Sequence, residues 1–257
     1  MSILALDTAL DACSVALLTA GGDVLARATR DIGRGHAEVL MAVAGEVFEA
    51  AGTTPRDLSR IVVTIGPGSF TGIRVGLAAA RAIGLAADIP VVGVTTLEAI
   101  ADDALAQALD PDLVTPVLIA PVLVAIDARR GEVYAGLYEA APAGLAMPTE
   151  RTAPAAMSHA QAAALAIAAG ARVVGSGAML VAAAADGRIA ADTAIRFPDI
   201  VRVGRIGAAR APSARPPAPV YLRAADAKPQ EGFRIARTTA PDADPVPPSP
   251  TDPEVRP

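Results

Sequence analysis

Two short apolar runs that each end in aspartate constrain this chain most. Leu4-Ala5-Leu6-Asp7-Thr8-Ala9 and Val124-Ala125-Ile126-Asp127-Ala128-Arg129 lie 120 residues apart. Each leads through a few turn residues into a second strand, residues 13–18 in one case and 132–138 in the other. Two hairpin starts, each followed by alternating helical and extended segments, point to a duplicated unit and an α/β or mixed α+β fold. The match is short, and chance similarity is the alternative reading.

Residues 2–7 and 13–19 read as buried strands around a turn at 8–12, and residues 24–30 complete an antiparallel meander. Val39, Leu40, Val43, Val47 and Phe48 recur at helical spacing from His36 to Ala51, where Gly52 stops the helix. Residues 61–65 form a short strand, the glycine-rich loop 66–72 follows, and a helix then carries Val75, Leu77, Ala78, Ala82 and Leu85. Pro90 opens a strand at 91–94, and Thr96 is expected to cap a helix through Ala108. The Ala-rich stretch 152–171 reads as a further helix. Residues 211–219 are a proline-rich connector, and 219–223 has β character. Residues 238–257 hold seven prolines and no aromatic, a composition expected to be disordered. The expected division is 1–108, 109–210, a connector with a returning Tyr221-Leu222-Arg223 segment over 211–231, and a tail over 232–257.

Composition removes several functions. One cysteine, Cys13, excludes an internal disulfide and every multi-cysteine zinc pattern, and two histidines do not make an imidazole-rich metal site. A net charge of −5 argues against holding nucleic acid unaided. The one lysine, Lys228, lies far from any phosphate loop. The longest strongly apolar run, residues 113–126, is broken by Pro116 and Pro121 and is short for a bilayer span. No charged segment precedes an apolar one at the start, so the expected location is the cytoplasm, without membrane contact.

The loop Gly66-Pro67-Gly68-Ser69-Phe70-Thr71-Gly72 has two readings. It can present backbone N–H groups to an anion at a helix start, or it can let two backbones approach closely. Its spacing is neither the dinucleotide fingerprint nor a P-loop. Asp7 and Thr8, at a strand end, can face a phosphate or magnesium with Asp127 opposite; the plainer alternative is an aspartate closing its own turn. Cys13 reads as a core residue, and each of Tyr134, Tyr138 and Tyr221 as a strand residue. His36 reads as a surface or capping residue, and Ser69 has no partner base nearby in sequence.

The opening ILALDTALDACSVAL, the loop IGPGSFTGIRVGLAAARAIG, the segment VVGVTTLEAIA, the hairpin AIDARRGEVYAGLY and the closing PVYLRAADAKPQ together resemble the TsaB (YeaZ) family over roughly residues 2–230. The resemblance implies two tandem actin/Hsp70/sugar-kinase-like (RNase H-like) domains. It also implies a non-catalytic scaffold that pairs with the catalytic paralogue TsaD, works with the ATPase TsaE and meets tRNA through the complex. That complex transfers threonylcarbamoyl from threonylcarbamoyl-AMP to the N6 of the adenosine beside the anticodon. A homodimer of the isolated chain is a further expectation. The family's pairing surface maps here onto His36, Val39, Leu40, Val43 and Val47 of the first helix and Gly72, Ile73, Gly76, Leu77 and Ala80 of the second. Gly72, Gly76, Ala79, Ala80 and Gly84 would let a partner helix approach, although the same apolar residues can instead pack each helix on its own sheet. No cofactor is expected to be intrinsic; ATP or ADP with Mg at the subunit interface would use Asp7, Thr8, Ser69 and Thr71. The alternative function is a stand-alone nucleotide-dependent phosphotransferase or glycoprotease-like peptidase.

Overall fold

β1 (Ser2–Asp7) is buried along its whole length because it is central in its sheet. In this computed structural model residues 1–108, 119–141, 147–213 and 215–223 are described. β2 (Ala12–Thr19) and β3 (Val24–Asp31) continue the antiparallel meander, with Leu4 opposite Leu17. β4 (Leu58–Thr64) and β5 (Val91–Val94) add parallel strands on the other side, giving the order β3-β2-β1-β4-β5. Alternation sends Leu4, Leu6, Val15 and Leu17 to one face and Ile3, Ala5, Ala16 and Leu18 to the other. The first face is covered by α1 (His36–Ala51) and α2 (Phe70–Ala87).

The second sheet repeats this plan. β6 (Val122–Asp127), β7 (Glu132–Glu139) and β8 (Thr149–Ser158) form the meander, and β9 (Arg172–Val174) and β10 (Ala191–Asp192) run parallel beside β6. The order β8-β7-β6-β9-β10 matches the first sheet strand for strand, so the echo between the Asp7 and Asp127 hairpins is a topological one. α4 (His159–Ala169) lies on β7 and β8, and α5 (Ala178–Ala183) on β6 and β9.

Helices cross between the sheets. α3 (Thr96–Gln107), which follows the first sheet in the chain, packs Leu97, Ile100 and Ala104 against Val122, Val124 and Ile126 of the second. α6 (Ile200–Ala209) returns to the first sheet, setting Ile200, Val203 and Ile206 on Ile3, Ala5 and Val62. Arg60 on β4 donates to the carbonyls of Gly207, Ala208 and Arg210 at 2.7, 2.7 and 2.8 Å, satisfying the orphan acceptors at the end of α6.

Three local expectations change. The stretch 152–171 is not one helix: its first part is the end of β8, paired with β7, and Ser158 starts α4 through a capping box with Gln161. Cross-strand pairing outweighs alanine's helix propensity there. Thr95, not Thr96, caps α3, with Glu98 completing the box. Residues 219–223 are not a strand; a single ladder-like bond runs from Val220 N–H to the Ile65 carbonyl, 2.8 Å. The expected tail 232–257 and Lys228 lie outside the described residues.

Candidate functional site

The glycine loop acts first on the fold. A Cβ on Gly68 would fall on the Ala9 carbonyl oxygen and one on Gly72 on that of Thr8, while one on Gly76 would lie 2.6 Å from Thr8 Oγ1. Glycine at these positions lets α2 sit directly on the β1–β2 turn. Thr8 Oγ1 donates to the Gly72 carbonyl at 2.7 Å, and Ser69 N–H donates to Ala9 at 2.8 Å. Of the two readings of the loop, close backbone approach is the one the geometry displays.

Asp7 and Thr8 are therefore sealed, and this corrects the expectation that they face a nucleotide. Both are fully buried. Asp7 Oδ1 accepts from Thr64 Oγ1 at 2.6 Å and from Ala9 N–H at 3.0 Å. Asp127 closes the equivalent turn, its Oδ1 accepting from Arg129 N–H at 2.8 Å. Each aspartate closes the turn of its own hairpin. Burial raises the Asp7 carboxyl above the ordinary carboxylate range, against the opposing pull of Thr64, the Ala9 N–H and nearby His36. Burial likewise pushes the Cys13 thiol up to about 11, with the Asp7 charge adding to it. His36 is buried rather than at the surface, its Nε2 2.8 Å from the Leu10 carbonyl oxygen.

Between the two sheets, at the ends of both hairpins, lies a cleft of about 680 Å³. Its walls include Leu10, Asp11, Gly68 and Ser69 on one side and Asp127, Ala128, Arg129 and Tyr134 on the other. Ser69 is the N-cap of α2, accepting from Gly72 N–H at 3.2 Å, and it is exposed together with Thr71. Gly175 and Ser176 also line the cleft, Ser176 Oγ accepting from Asp127 N–H at 3.2 Å. The signal for them was present in the sequence: Gly175-Ser176-Gly177 follows an apolar strand as Gly66-Pro67-Gly68 does. Among the described residues no group of three or more His, Cys, Asp or Glu is arranged to hold a metal ion.

The second candidate surface is the outer side of α1 and α2, which pack side by side. Leu40, Val43, Val47, Gly72, Ile73, Gly76, Leu77 and Ala80 are all buried beneath it in the chain's own core. They are not available to a partner, because the inner arc of each helix is spent on the first sheet. Gly84, too, serves close packing inside, a Cβ there meeting Val91 at 2.6 Å. Val39 is half-buried. The outward residues are different ones. Met41 is 57% exposed, Phe70 48% and Leu85 87%. Also exposed are Ala37, Ala42 and Gly45 on α1, together with Glu38, Glu46 and Glu49, and Arg74, Ala78, Arg81 and Ala82 on α2. A Cβ at Gly45 would meet nothing within 4 Å, so the monomer does not require glycine there. Arg74 lies 3.8 Å over the Phe70 ring and donates to the Tyr221 hydroxyl at 3.0 Å, while Phe70 and Tyr221 stack at 5.2 Å.

Residues 29–177 match the model of the family described as TsaD: tRNA N6-adenosine threonylcarbamoyltransferase. The chain belongs to that family. The chain is 37% identical over 140 residues to the tRNA threonylcarbamoyladenosine biosynthesis protein TsaB of Escherichia coli, covering 54% of this chain and 55% of that protein. It is also 37% identical over 139 residues to the TsaB of Bacillus subtilis, covering 54% and 56%. The chain thus spans about half the length of the curated relatives it matches. Among solved structures, YeaZ from Pseudomonas aeruginosa superposes with a TM-score of 0.66 at 27% identity, over 80% of this chain and 90% of that one. A second Pseudomonas aeruginosa structure, a protein described as similar to peptidase YEAZ, gives 0.69 at 28%, over 86% and 99%. These similarities place the chain with the TsaB/YeaZ members of the family.

Proposed function

We propose that this chain is a non-catalytic subunit in the synthesis of threonylcarbamoyladenosine in tRNA, pairing through the outer side of α1 and α2 with the catalytic paralogue TsaD and working with the ATPase TsaE. In this reading the complex moves threonylcarbamoyl from threonylcarbamoyl-AMP to the N6 of the adenosine beside the anticodon, in the cytoplasm. tRNA is met through the partner, in keeping with the net charge of −5. The observation that carries the pairing is the exposure of Met41, Phe70 and Leu85 on two adjacent helices. Apolar side chains with an aromatic and arginine beside them are the composition of an interface centre. The same surface would serve a homodimer when the chain is alone.

A nucleotide at that interface would meet Ser69 and Thr71, since Asp7 and Thr8 do not fit the role while sealed beneath the loop. The sealing of Asp7 also disfavours an independent phosphotransferase built on that carboxylate. The test is co-expression with a tagged TsaD from the same cells, followed by size-exclusion chromatography. A stoichiometric complex is the expected result; two separate peaks at micromolar protein would sink the pairing.

A further inference from the structure

The segment 217–223 absorbs more specific contacts than a connector needs. Arg81 donates to the Pro217 carbonyl at 2.6 Å, and Val220 N–H donates to Ile65 at 2.8 Å, at the end of β4. A Cβ on Gly66 would lie 2.9 Å from the Val220 carbonyl oxygen, so this glycine admits the passing segment. Tyr221 then stacks on Phe70 beside the Ser69 cap. Leu222 packs with the cluster of α3 and β6. Arg223 ends on the other wall of the cleft: it donates to the Ala128 carbonyl at 3.1 Å, pairs with Glu132 and lies 5.8 Å over the Tyr134 ring.

We propose that residues 217–223 are a clamp that sets the opening of the inter-sheet cleft, with its near end built into the partner-docking side of α2. Val220 is bonded to the first sheet and Arg223 to the hairpin of the second. Three residue steps of fully extended chain reach only about 10 Å. Opening the walls at this point beyond the slack of these three steps and the Arg223 side chain therefore breaks either the Val220–Ile65 bond or the contacts of Arg223. A partner that covers Phe70, Arg74 and Tyr221 holds the near end in place and so favours the closed cleft, and by reciprocity a closed cleft favours the partner. This link to docking rests on the function proposed above; the clamp itself does not.

The test is a nitroxide pair at Arg34→Cys and Arg129→Cys, on opposite cleft walls, read by pulsed electron–electron distance measurement; Cys13 is buried and stays unlabelled. The Arg223→Ala change should lengthen and broaden the distance distribution in a chain whose far-ultraviolet dichroism is unchanged. Glu132→Gln, which keeps the Ala128 bond, should do so to a smaller degree. Adding TsaD should narrow the distribution of the unaltered clamp. Identical distributions with and without Arg223 would overturn the clamp. A complex that forms and leaves the distribution unchanged would overturn the link to docking. Absence of any complex would sink the function proposed above and leave the clamp to be judged on the Arg223→Ala comparison.

Discussion

Single atoms decide what the glycine loop and its neighbouring aspartate do. At Gly72 the position a Cβ would occupy is already filled by the Thr8 carbonyl oxygen. Gly72→Ala is therefore expected to cost at least about 3 kcal/mol or to prevent folding, read as the loss of a cooperative melt. A variant with an unchanged melting temperature would show that the β1–β2 turn can give way to a Cβ at this position. Asp7 gives a pH signature. Its folded-state carboxyl is raised by burial, so the native chain keeps a proton that the unfolded chain releases. Stability attributable to this group is greatest below the unfolded value, near 3.9, and falls as pH rises toward the raised folded value. Asp7→Asn keeps an acceptor for Thr64 and Ala9 and removes the titration, so its melting temperature should gain on the parent over that window and run parallel above it. Equal slopes would show that the carboxyl ionises freely.

At the scale of elements, α2 has two jobs on two arcs. Its 18 residues satisfy the length and apolarity of a bilayer span, yet Ile73, Leu77 and Ala80 pack on the first sheet and Arg74 and Arg81 lie outward. The spacing 70, 74, 78, 81, 85 keeps the outward set together on one side. The two arcs predict different mutants. Leu85→Asp or Met41→Asp should weaken pairing with TsaD by at least about tenfold while leaving the melting temperature within a few degrees. Val43→Asp should instead unfold the chain, because its carboxylate would be buried without a partner, at a cost of roughly 4 kcal/mol. Pairing that survives Leu85→Asp and Met41→Asp together would move the interface elsewhere.

For the molecule as a whole, the crossing helices matter most. α3 belongs by chain order to the first half and by packing to the second, and α6 the reverse. A division at residues 108 and 109 therefore follows the chain, whereas the core does not divide there. A fragment of residues 1–108 would leave Ile3, Ala5, Ala16 and Leu18 without α6 and Leu97 and Ile100 without β6. We expect it to lack a cooperative thermal transition that the full chain shows. A fragment melting like the parent would mean that each sheet is stable with its own helices alone.

The sequence by itself determined the elements of the first sheet and the repeat. The unbroken apolar run of residues 3–6, the helical spacing from His36 to Gly52, and the paired hairpins at Asp7 and Asp127 are local patterns, written in adjacent residues. It also carried the family through its motifs. What it left open were the questions that depend on which side of an element meets which neighbour. Leu77 and Leu85 are equally apolar as letters, and only the placement of α2 on β4 makes one core and the other surface. Asp7 looked available because a strand end is a natural ligand site, and it is sealed because α2 returns over the turn 64 residues later through Gly72. The 152–171 stretch read as helix because alanine propensity is local, whereas pairing with β7 is not. Periodicity assigns a face to each helix and strand; only long-range packing decides whether that face is covered by the chain itself or left for another.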